Sequence, residues 1–481
     1  MTAASKAMSW SGLKRRALSL GAVKTFDHAM QFLLPVILAR SLDAATFGEY
    51  RLLWLVVGTV MTIATLNMAG GLYYFVPRSD ARRKRLYVHQ TMLFLVFSGL
   101  VCAALASPWN PLLPPAVAPL HGQGALVAAF IALWVAAILL DYLPAIDERI
   151  RWQAFATVTT SLLRVVLVAA AAWWAGDLES MLWMLLAAVA VKLVLLLVYV
   201  ARRHGLGAPW FERAAFSGQL RHCAPFGLSN ALYALRSQSD QWVAASLFAL
   251  SSFAAFSIAA VVGHVVHILR HSVMEAFLPA MSRMEAAGDV RGVMAMNSRA
   301  NAMVGSVLYP LLAVAFVFAE EVISLVYTDA YLAAAPVMRV YIAGMAIMVI
   351  EVGSVVLLLR QGSFALRITA LVLPLSVAVS WAAAHGVGLP GAAAGSVLAI
   401  YLDRALLLRR VSRHTGIALR DLQDWRALAR AAALAAGCGL LAWGVVRHFL
   451  AGEGPLLRLC AGAAVLAAAY AALNQRRAAR K

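Results

Sequence analysis

The sequence predicts an all-α integral membrane protein with about fourteen transmembrane helices, arranged as two pseudo-symmetric six-helix bundles followed by two further helices. Hydrophobic residues make up 63% of the 481 residues and charged residues only 13%, with a mean hydropathy of +0.79. Soluble domains are instead about half apolar and a quarter charged. In addition, apolar runs long enough to cross about 30 Å of hydrocarbon recur along the whole chain.

Fourteen apolar runs meet this length criterion, and their ends are predicted to within a few residues. They are residues 17–39, 52–76, 87–107, 124–143, 153–175, 181–201, 223–247, 254–278, 300–319, 334–359, 368–385, 391–408, 431–450 and 456–473.

The basic residues predict the orientation of these spans. Most of the 41 lysines and arginines fall in alternate connections, and the opposite connections hold only Arg40, Arg51, Arg447 and Arg458. The positive-inside rule therefore places both termini in the cytoplasm. The net charge of +19 is dispersed over short connections, which argues against nucleic-acid binding and favours contact with anionic lipid headgroups.

Two halves are visible in the sequence. "FGEYRL" (Phe47 to Leu52) opens the second span, and the similar "FAAFSI" (Phe253 to Ile258) opens the eighth. Such internal symmetry is typical of transporters. We predict a first bundle over residues 1–210, a second over 211–412, and a third segment over 413–481. The last begins with a linker expected to form an amphipathic interfacial helix.

The first span carries a polar face. Lys24, Asp27, His28 and Gln31 are spaced three and four residues apart, which places them on one side of a helix. Because a charge in mid-membrane costs about 2.5–3.5 kcal/mol on insertion scales, such a face meets a bundle interior or water. Two interpretations remain open: a local pair between Lys24 and Asp27, or the wall of a water-filled cavity.

The seventh and eighth spans repeat this pattern. Arg236 and Asp240 have the i, i+4 spacing of a local ion pair. In the eighth span, His267, His271 and Glu275 share one face with Arg270 beside it. Histidines and a glutamate at this spacing can bind metal. A neighbouring arginine opposes a cation, so the sequence favours a polar cavity wall and no metal site.

The embedded charges suggest an anionic ligand. Six bases (Lys24, Arg164, Lys192, Arg236, Arg270 and Arg339) stand against four acids (Asp27, Asp240, Glu275 and Glu351). Arginine and lysine bind phosphate by charge-assisted hydrogen bonds. No G-x-x-x-x-G-K-[ST] motif occurs in the sequence, so no nucleotide-driven transport and no cofactor are predicted.

One motif carries a family resemblance. "PVILARSLDAATFGEYRLL" (Pro35 to Leu53) resembles the L-A-R-x-L-G-P-x-x-[FY]-G-x-[YF] motif of polysaccharide-export proteins, the Wzx-type lipid-linked oligosaccharide flippases of the MATE-like (MOP) exporter superfamily. Asp43 and Ala44 replace the usual Gly-Pro. "APFGLSNALYALRSQSDQWVAASLF" is similar to the seventh helix of that family, and "AFLPAMSRMEAAGD" to the exit from its eighth. The resemblance covers residues 15–412.

The resemblance implies a MATE-like pair of bundles that alternates between inward-open and outward-open states and flips undecaprenyl-diphosphate-linked oligosaccharides across the bacterial inner membrane. Other polysaccharide-assembly membrane proteins and membrane lipids would be partners, and no enzymatic activity is expected. The expected cavity residues are Lys24, Arg236 and Arg270 for the diphosphate, His28, Gln31, His267 and His271 as further lining, and Asp27, Asp240 and Glu275 as counter-ions or coupling groups.

Three other functions remain open. A MATE-like multidrug or cation antiporter would prefer an acidic, aromatic cavity. A flippase for the lipid-linked peptidoglycan precursor would use the same chemistry as the expected function. A membrane glycan polymerase or ligase commonly carries one large periplasmic loop, and no connection here is long enough for a globular domain.

Overall fold

The computed structural model describes the backbone of residues 10–107, 110, 113–260 and 262–478. For some helical residues it describes the backbone alone, namely residues 10–20, 262, 264, 265, 267, 268, 271, 272, 275 and 476–478. The described chain is built from helices and divides into two compact units, Met1–Ala234 and Leu235–Lys481. The predicted division into residues 1–210, 211–412 and 413–481 stays a prediction.

The helices of the first unit follow the predicted spans in order. They are α1 (Trp10–Ser41), α2 (Ala44–Ala64), α3 (Met68–Phe75), α4 (Ala81–Leu105), α5 (Gly124–Ala137), α6 (Leu143–Ile146), α7 (Ile150–Trp174), α8 (Leu178–Arg203) and α9 (Arg213–Leu247), the last of which contains the division between the units. Short 3-10 helices, Pro115–Gln123 and Ile138–Asp141, flank α5.

The second unit continues with helices of the same kind. They are α10 (Leu250–Ala259), α11 (Val262–Ala286), α12 (Val290–Val317), α13 (Ala319–Val326), α14 (Ala334–Met348), α15 (Gly353–Leu358), α16 (Gly362–Val387), α17 (Leu389–Ala392), α18 (Ala394–Thr415), α19 (Trp425–Phe449) and α20 (Pro455–Ala478). Two further 3-10 helices are Asp329–Tyr331 and Leu419–Asp421.

Among the described residues, ten helical segments are long and apolar enough to cross a membrane. The chain is therefore a multi-pass membrane protein. Helices α1, α9 and α11 are not among the ten, and these are the helices that contain Lys24, Arg236 and Arg270. The count of fourteen spans stays a prediction.

The two halves of the chain have helix N-caps and residues with positive φ in the same order. Asp80 accepts a hydrogen bond from the backbone N–H of Arg83 at the start of α4, and Asp289 accepts one from Gly292 at the start of α12. These are side-chain N-caps, which satisfy a backbone donor that the first helical turn leaves free. Residues with positive φ also recur at matching places, namely Glu148 and Arg360, Gly176 and Gly388, and Gly205 and Gly416.

Several predicted spans are interrupted. The second breaks between α2 and α3, where Leu66 and Asn67 have φ of 40° and 57°, conformations that side chains other than glycine rarely adopt. Ser98 donates a hydrogen bond of 2.7 Å to the carbonyl of Ala64 at this break. The fourth, eighth and tenth spans break after α5, α10 and α14. Hydropathy alone indicated continuous helices because at most one or two polar residues, such as Asn67, Asp141 and Glu351, occur at a break and apolar residues flank them.

The last two helices pack on the second unit. Helix α19 lies against α12 and α20 lies against α19 and α13. Phe318 is buried with Cys438, Ala442, Val446 and Leu466. The expected amphipathic helix in the linker is wrong, because α18 continues to Thr415, Gly416 ends it with a φ of 71°, and α19 begins at Trp425.

A buried amide network joins that linker to the break between α14 and α15. Asn301 donates to the side-chain oxygen of Gln423 (3.0 Å) and accepts from the backbone N–H of Glu351 (3.1 Å). Gln423 donates to Asn297 (2.9 Å), which in turn donates to the carbonyl of Glu351 (3.0 Å). These bonds satisfy backbone groups that the helix break leaves open inside a membrane bundle.

We expect Asn301→Ala to destabilise the protein by about 1–3 kcal/mol, because it leaves the Glu351 N–H and the Gln423 side chain buried without their partner. A thermal-unfolding assay that follows exposure of the buried thiols of Cys223 and Cys438 measures the change. The control is Asn474→Ala, at an exposed position on α20. Equal melting temperatures for Asn301→Ala and the control would contradict the role of the network.

A second polar cluster holds the connection between α8 and α9. Asp147 accepts hydrogen bonds of 2.8 Å from both the His204 ring and the Tyr199 hydroxyl. Burial raises the pKa of Asp147, but the hydrogen bond and charge of His204, the Tyr199 hydroxyl and nearby Arg203 outweigh it, so the pKa lies below the ordinary 3.8. The ionised carboxylate is therefore the form that the fold stabilises.

Because the pKa of Asp147 is lowered on folding, its contribution is complete above pH 4 and is lost as the pH falls through the lowered pKa. We expect Asp147→Asn to melt at a lower temperature than the parent protein at pH 7. The two melting temperatures should approach each other as the pH is lowered below 4. A difference that stays constant over this range would exclude ionisation of Asp147 as its source.

Candidate functional site

The polar face of α1 is held by a contact with α7. Asp27 accepts a hydrogen bond from Gln31 (2.8 Å) through one carboxylate oxygen and from Ser161 of α7 (2.5 Å) through the other. Lys24 and His28 are exposed. Among the described residues, Lys24 makes no ion pair, so the local pair between Lys24 and Asp27 that the sequence allowed is wrong.

Arg236 of α9 forms an ion pair with a residue of α18. Its guanidinium Nη1 lies 3.7 Å from a carboxylate oxygen of Asp403, and the two side chains are only 10% and 13% exposed. Asp240 accepts hydrogen bonds from the Tyr341 hydroxyl of α14 (2.6 Å) and from the backbone N–H of Gln241 (2.8 Å). The predicted local pair of Arg236 with Asp240 is therefore wrong, because tertiary contacts supply each charge with a better partner.

Asp240 accepts from the Tyr341 hydroxyl, and its chain neighbour Ser239 contacts a buried serine of α16. We call Asp240, Tyr341, Ser239, Ser376 and Ser380 the Asp240 cluster. Ser239 and Ser376 lie 3.2 Å apart through their hydroxyls. The hydroxyl of Ser380 is buried and has no hydrogen-bond partner among the described residues. The cluster therefore offers a carboxylate and several neutral oxygens in a site closed to solvent.

A glycine of α18 makes this arrangement possible. A Cβ atom on Gly395 would lie 2.0 Å from the carbonyl oxygen of Ser376 and 2.3 Å from the Ser380 hydroxyl. Helices α16 and α18 thus meet backbone to backbone, which brings the serines of α16 close to α9. Sequence reasoning missed these serines, because scattered serines in apolar helices give no distinct signal.

Arg270 of α11 reaches the break that follows α14. Its Nη1 donates a hydrogen bond of 3.4 Å to the carbonyl of Met348. The side chains of His267, His271 and Glu275 lie outside the described residues, so the predicted polar face of α11 stays a prediction. Among the side chains that the structure describes, no three His, Cys, Asp or Glu residues come together as a metal site requires.

The first unit contains an ion pair that sequence reasoning missed. Lys192 of α8 lies 2.7 Å from the carboxylate of Asp141, at the end of the 3-10 turn after α5. Its ammonium also lies 4.9 Å from the ring centre of Trp134. The guanidinium of Arg164 lies 5.7 Å from the rings of both Trp54 and Trp134. The visible signal was an isolated acid within the apolar fourth span.

Two acids are missing from the predicted set of embedded charges. Asp141 and Asp403 both lie within candidate membrane spans, but the same spans also contain further bases, such as Arg404 beside Asp403. The predicted excess of positive charge therefore stays a prediction. The polar face of α1 differs from these ion pairs. Lys24 is exposed, and Asp27 accepts hydrogen bonds from Gln31 and Ser161.

Comparisons with known proteins bear on the family and on the fold of the chain. The model of a family described as "Polysaccharide biosynthesis protein" matches residues 13–285, which is more than half of the chain. No curated protein matches the sequence.

Solved structures share the fold at low sequence identity. The lipid II flippase MurJ in an inward closed conformation is similar with a TM-score of 0.70 and 11% identity, over 95% of this chain and 98% of that one. An inward-facing multidrug resistance MATE family transporter of the MOP superfamily gives a TM-score of 0.61 and 12% identity, over 82% and 96%. A MOP superfamily transporter from Pyrococcus furiosus gives 0.55 and 13%, over 84% and 96%. The chain therefore has the MurJ and MATE fold.

A double-mutant cycle tests the new pairing of Arg236. We expect Asp403→Asn or Arg236→Gln alone to lower stability by about 3–5 kcal/mol, because each breaks an ion pair between two largely buried side chains. The double variant should recover much of this loss. The matched cycle of Arg236→Gln with Asp240→Asn should show little coupling. Thermal unfolding measures both coupling energies. If Arg236 couples more strongly to Asp240 than to Asp403, its ion-pair partner is Asp240 and not Asp403.

Proposed function

The chain belongs to the polysaccharide biosynthesis protein family, and from this premise we propose that it flips undecaprenyl-diphosphate-linked oligosaccharide repeat units across the bacterial inner membrane for surface polysaccharide assembly. The protein acts as a transporter and does not change covalent bonds in its cargo. Alternating exposure of a polar, water-filled path moves the diphosphate and the glycan, while the polyprenyl chain stays in lipid.

The proposal rests on the exposure of the Lys24 side chain. This side chain is exposed on a helix that also presents His28 and Gln31, whereas the nearby carboxylate of Asp27 is already hydrogen bonded. A lysine facing hydrocarbon costs about 2.5–3.5 kcal/mol on insertion scales, so this face meets water or an anionic ligand. We assign Lys24 to the diphosphate and His28 and Gln31 to the glycan.

Arg236 and Arg270 have different parts in this proposal. Arg236 is largely buried against Asp403, so it contacts cargo only in a state that separates the pair, and otherwise positions α9 against α18. Arg270 is partly exposed and donates a hydrogen bond to the carbonyl of Met348, and we assign its guanidinium to the diphosphate as well. His267, His271 and Glu275 are proposed to line the same path.

The Asp240 cluster is our candidate for the coupling site. A buried carboxylate that accepts from a tyrosine hydroxyl suits a proton or a Na⁺ ion, because hard cations prefer oxygen ligands. Loss or gain of a positive charge there would change the electrostatic field on α9, which carries both Asp240 and Arg236. Asp27 is the corresponding candidate in the first unit.

Orientation and partners follow from the same proposal. The basic connections are assigned to the cytoplasm, with both termini on that side, by the positive-inside rule. The lipid-linked oligosaccharide enters from the cytoplasmic leaflet, and proteins that polymerise or ligate the glycan take it on the periplasmic side. Nucleic acid is not among the proposed partners.

Two other functions have a specific observation in their favour. The similarity to MurJ favours transport of a lipid-linked peptidoglycan precursor, which also carries a diphosphate. The similarity to a multidrug resistance MATE transporter, together with the buried acid Asp240, favours a cation antiporter. The exposed lysine on α1 favours an anionic cargo over a cationic one.

Lipid extraction from a deletion strain tests the proposal. We expect an undecaprenyl-diphosphate oligosaccharide to accumulate on the cytoplasmic side and surface polysaccharide to disappear. Accumulation of the peptidoglycan precursor would favour the MurJ-like function. Normal lipids together with hypersensitivity to cationic drugs would favour the antiporter.

Complementation of that strain tests Lys24. We expect Lys24→Gln to lower export at least about tenfold, because a charge-assisted contact with phosphate is worth about 1.5–3 kcal/mol, and Lys24→Arg to retain most of it. Lys84→Gln, in the first turn of α4, is the control for loss of a lysine charge elsewhere in the chain. Full export by Lys24→Gln, at equal protein levels, would remove Lys24 from the site.

A further inference from the structure

An aromatic and basic group outside the proposed transport path lies where α3 ends beside α9. We call it the Tyr74 site and define it by Tyr74, Arg78 and His222. The Arg78 guanidinium lies 4.2 Å from the Tyr74 ring centre and donates a hydrogen bond of 2.9 Å to the Tyr74 carbonyl. The ring of His222 stacks on Tyr74 with centres 4.5 Å apart and an angle of 26° between the planes.

Close backbone packing holds these groups in place. A Cβ atom on Gly71 of α3 would lie 2.2 Å from the sulfur of Cys223 in α9, so the two helices touch directly below the Tyr74 site. Phe75 supports it from the side, with its ring centre 5.4 Å from His222 and 4.9 Å from Tyr87. The three polar groups are therefore positioned by the fold before any ligand arrives.

The Tyr74 site has hydrogen-bond donors that the protein does not use. Among the described residues, the Tyr74 hydroxyl and the His222 ring nitrogens have no hydrogen-bond partner, and Arg78 uses its Nη1 only for the Tyr74 carbonyl. Arg78 and His222 are exposed, and Tyr74 is 45% exposed. The neighbouring carboxylate of Asp80 accepts from the backbone of Arg83 and forms no ion pair with Arg78.

We propose that the Tyr74 site binds the phosphodiester headgroup of an anionic phospholipid in the membrane leaflet next to the basic connections. The donors are those that bind phosphate, namely a guanidinium fork, a phenol hydroxyl and an imidazole. Tyrosines are typical of the headgroup level of a membrane. Arg82 and Arg83, both exposed, attract anionic lipids to the same surface.

Charge selects the phosphodiester over the diphosphate of the proposed cargo. The Tyr74 site contains one permanent cation, Arg78, and two groups that donate hydrogen bonds without carrying a fixed charge. One positive charge balances the single negative charge of a phosphodiester. A diphosphate carries at least one more negative charge, which these three residues would leave without a counter-ion.

The bound lipid has a structural effect within the first unit. It contacts α3 and α9 together, and α3 is the short helix that follows the break at Leu66 and Asn67. Occupancy therefore fastens the end of the second span to α9. We expect slower backbone hydrogen exchange in residues 68–76 when phosphatidylglycerol is present.

Native mass spectrometry of the full chain, released from nanodiscs of mixed phosphatidylglycerol and phosphatidylcholine, tests the proposal. We expect Arg78→Gln to weaken retention of one phosphatidylglycerol about tenfold relative to the parent protein, because one charge-assisted contact to phosphate is lost. Tyr74→Phe and His222→Phe keep the stacked rings and remove only the donors, and each should weaken retention by a smaller factor. Arg82→Gln is the matched control, with the same charge change at an exposed position in the first turn of α4, and should change retention less than twofold.

Three results would overturn the proposal. Equal effects of Arg78→Gln and Arg82→Gln would mean a diffuse attraction to the basic surface. Displacement of phosphatidylglycerol by inorganic phosphate would mean a site for free anions. Displacement by undecaprenyl diphosphate at lower concentration than phosphatidylglycerol itself requires would assign the Tyr74 site to the cargo. The measurement involves no transport, so it stands or falls independently of the proposed function.

Discussion

The constraint behind most of this structure is that a polar group inside a membrane bundle must find its partner within the protein, because hydrocarbon offers none. The broken helices show how the chain meets it. At the break after α2, Ser98 donates to an open carbonyl. At the break after α14, the carbonyl of Met348 accepts from Arg270, and the backbone of Glu351 is bonded on both sides by amide side chains. Irregular backbone is thus stable at these depths because side chains from other helices complete its hydrogen bonding.

Embedded charges follow the same rule, with consequences for transport. Lys192 pairs with Asp141, and Arg236 pairs with Asp403, each across two helical segments. Removing one member of a buried pair is costly, so Arg236 and Asp403 serve mainly to hold α9 against α18. Lys24 is exposed and Asp240 has a neutral partner, which is why the proposed ligand and coupling roles are assigned to them. Position in the bundle, and not charge alone, separates the two roles.

The two halves both satisfy this requirement, but with different residues. The caps at Asp80 and Asp289 and the positive φ angles at Glu148 and Arg360 recur in order. The buried chemistry has diverged: an ammonium paired with an acid beside Trp134 in the first unit, and a carboxylate bonded to a tyrosine hydroxyl in the second. The two units thus repeat similar backbone features but bury different polar groups.

Hydropathy and periodicity were sufficient to predict the membrane class and the helical architecture, because each depends on residues close together in the chain. The loop motif beginning at Pro35 was sufficient for the family. Sequence spacing failed to predict the ion pairs, because it paired Arg236 with Asp240 and Lys24 with Asp27. In the structure Arg236 pairs with Asp403, and Asp240 accepts from Tyr341. Asp27 accepts from Gln31 and Ser161. Three of these four contacts join residues more than 100 positions apart, and which distant helices meet depends on close backbone approach at small residues such as Gly395. The sequence by itself thus determined the membrane class, the helices and the family, because these depend on local patterns, and only the tertiary structure decided which charges neutralise one another, because the partners come from helices far apart in the chain.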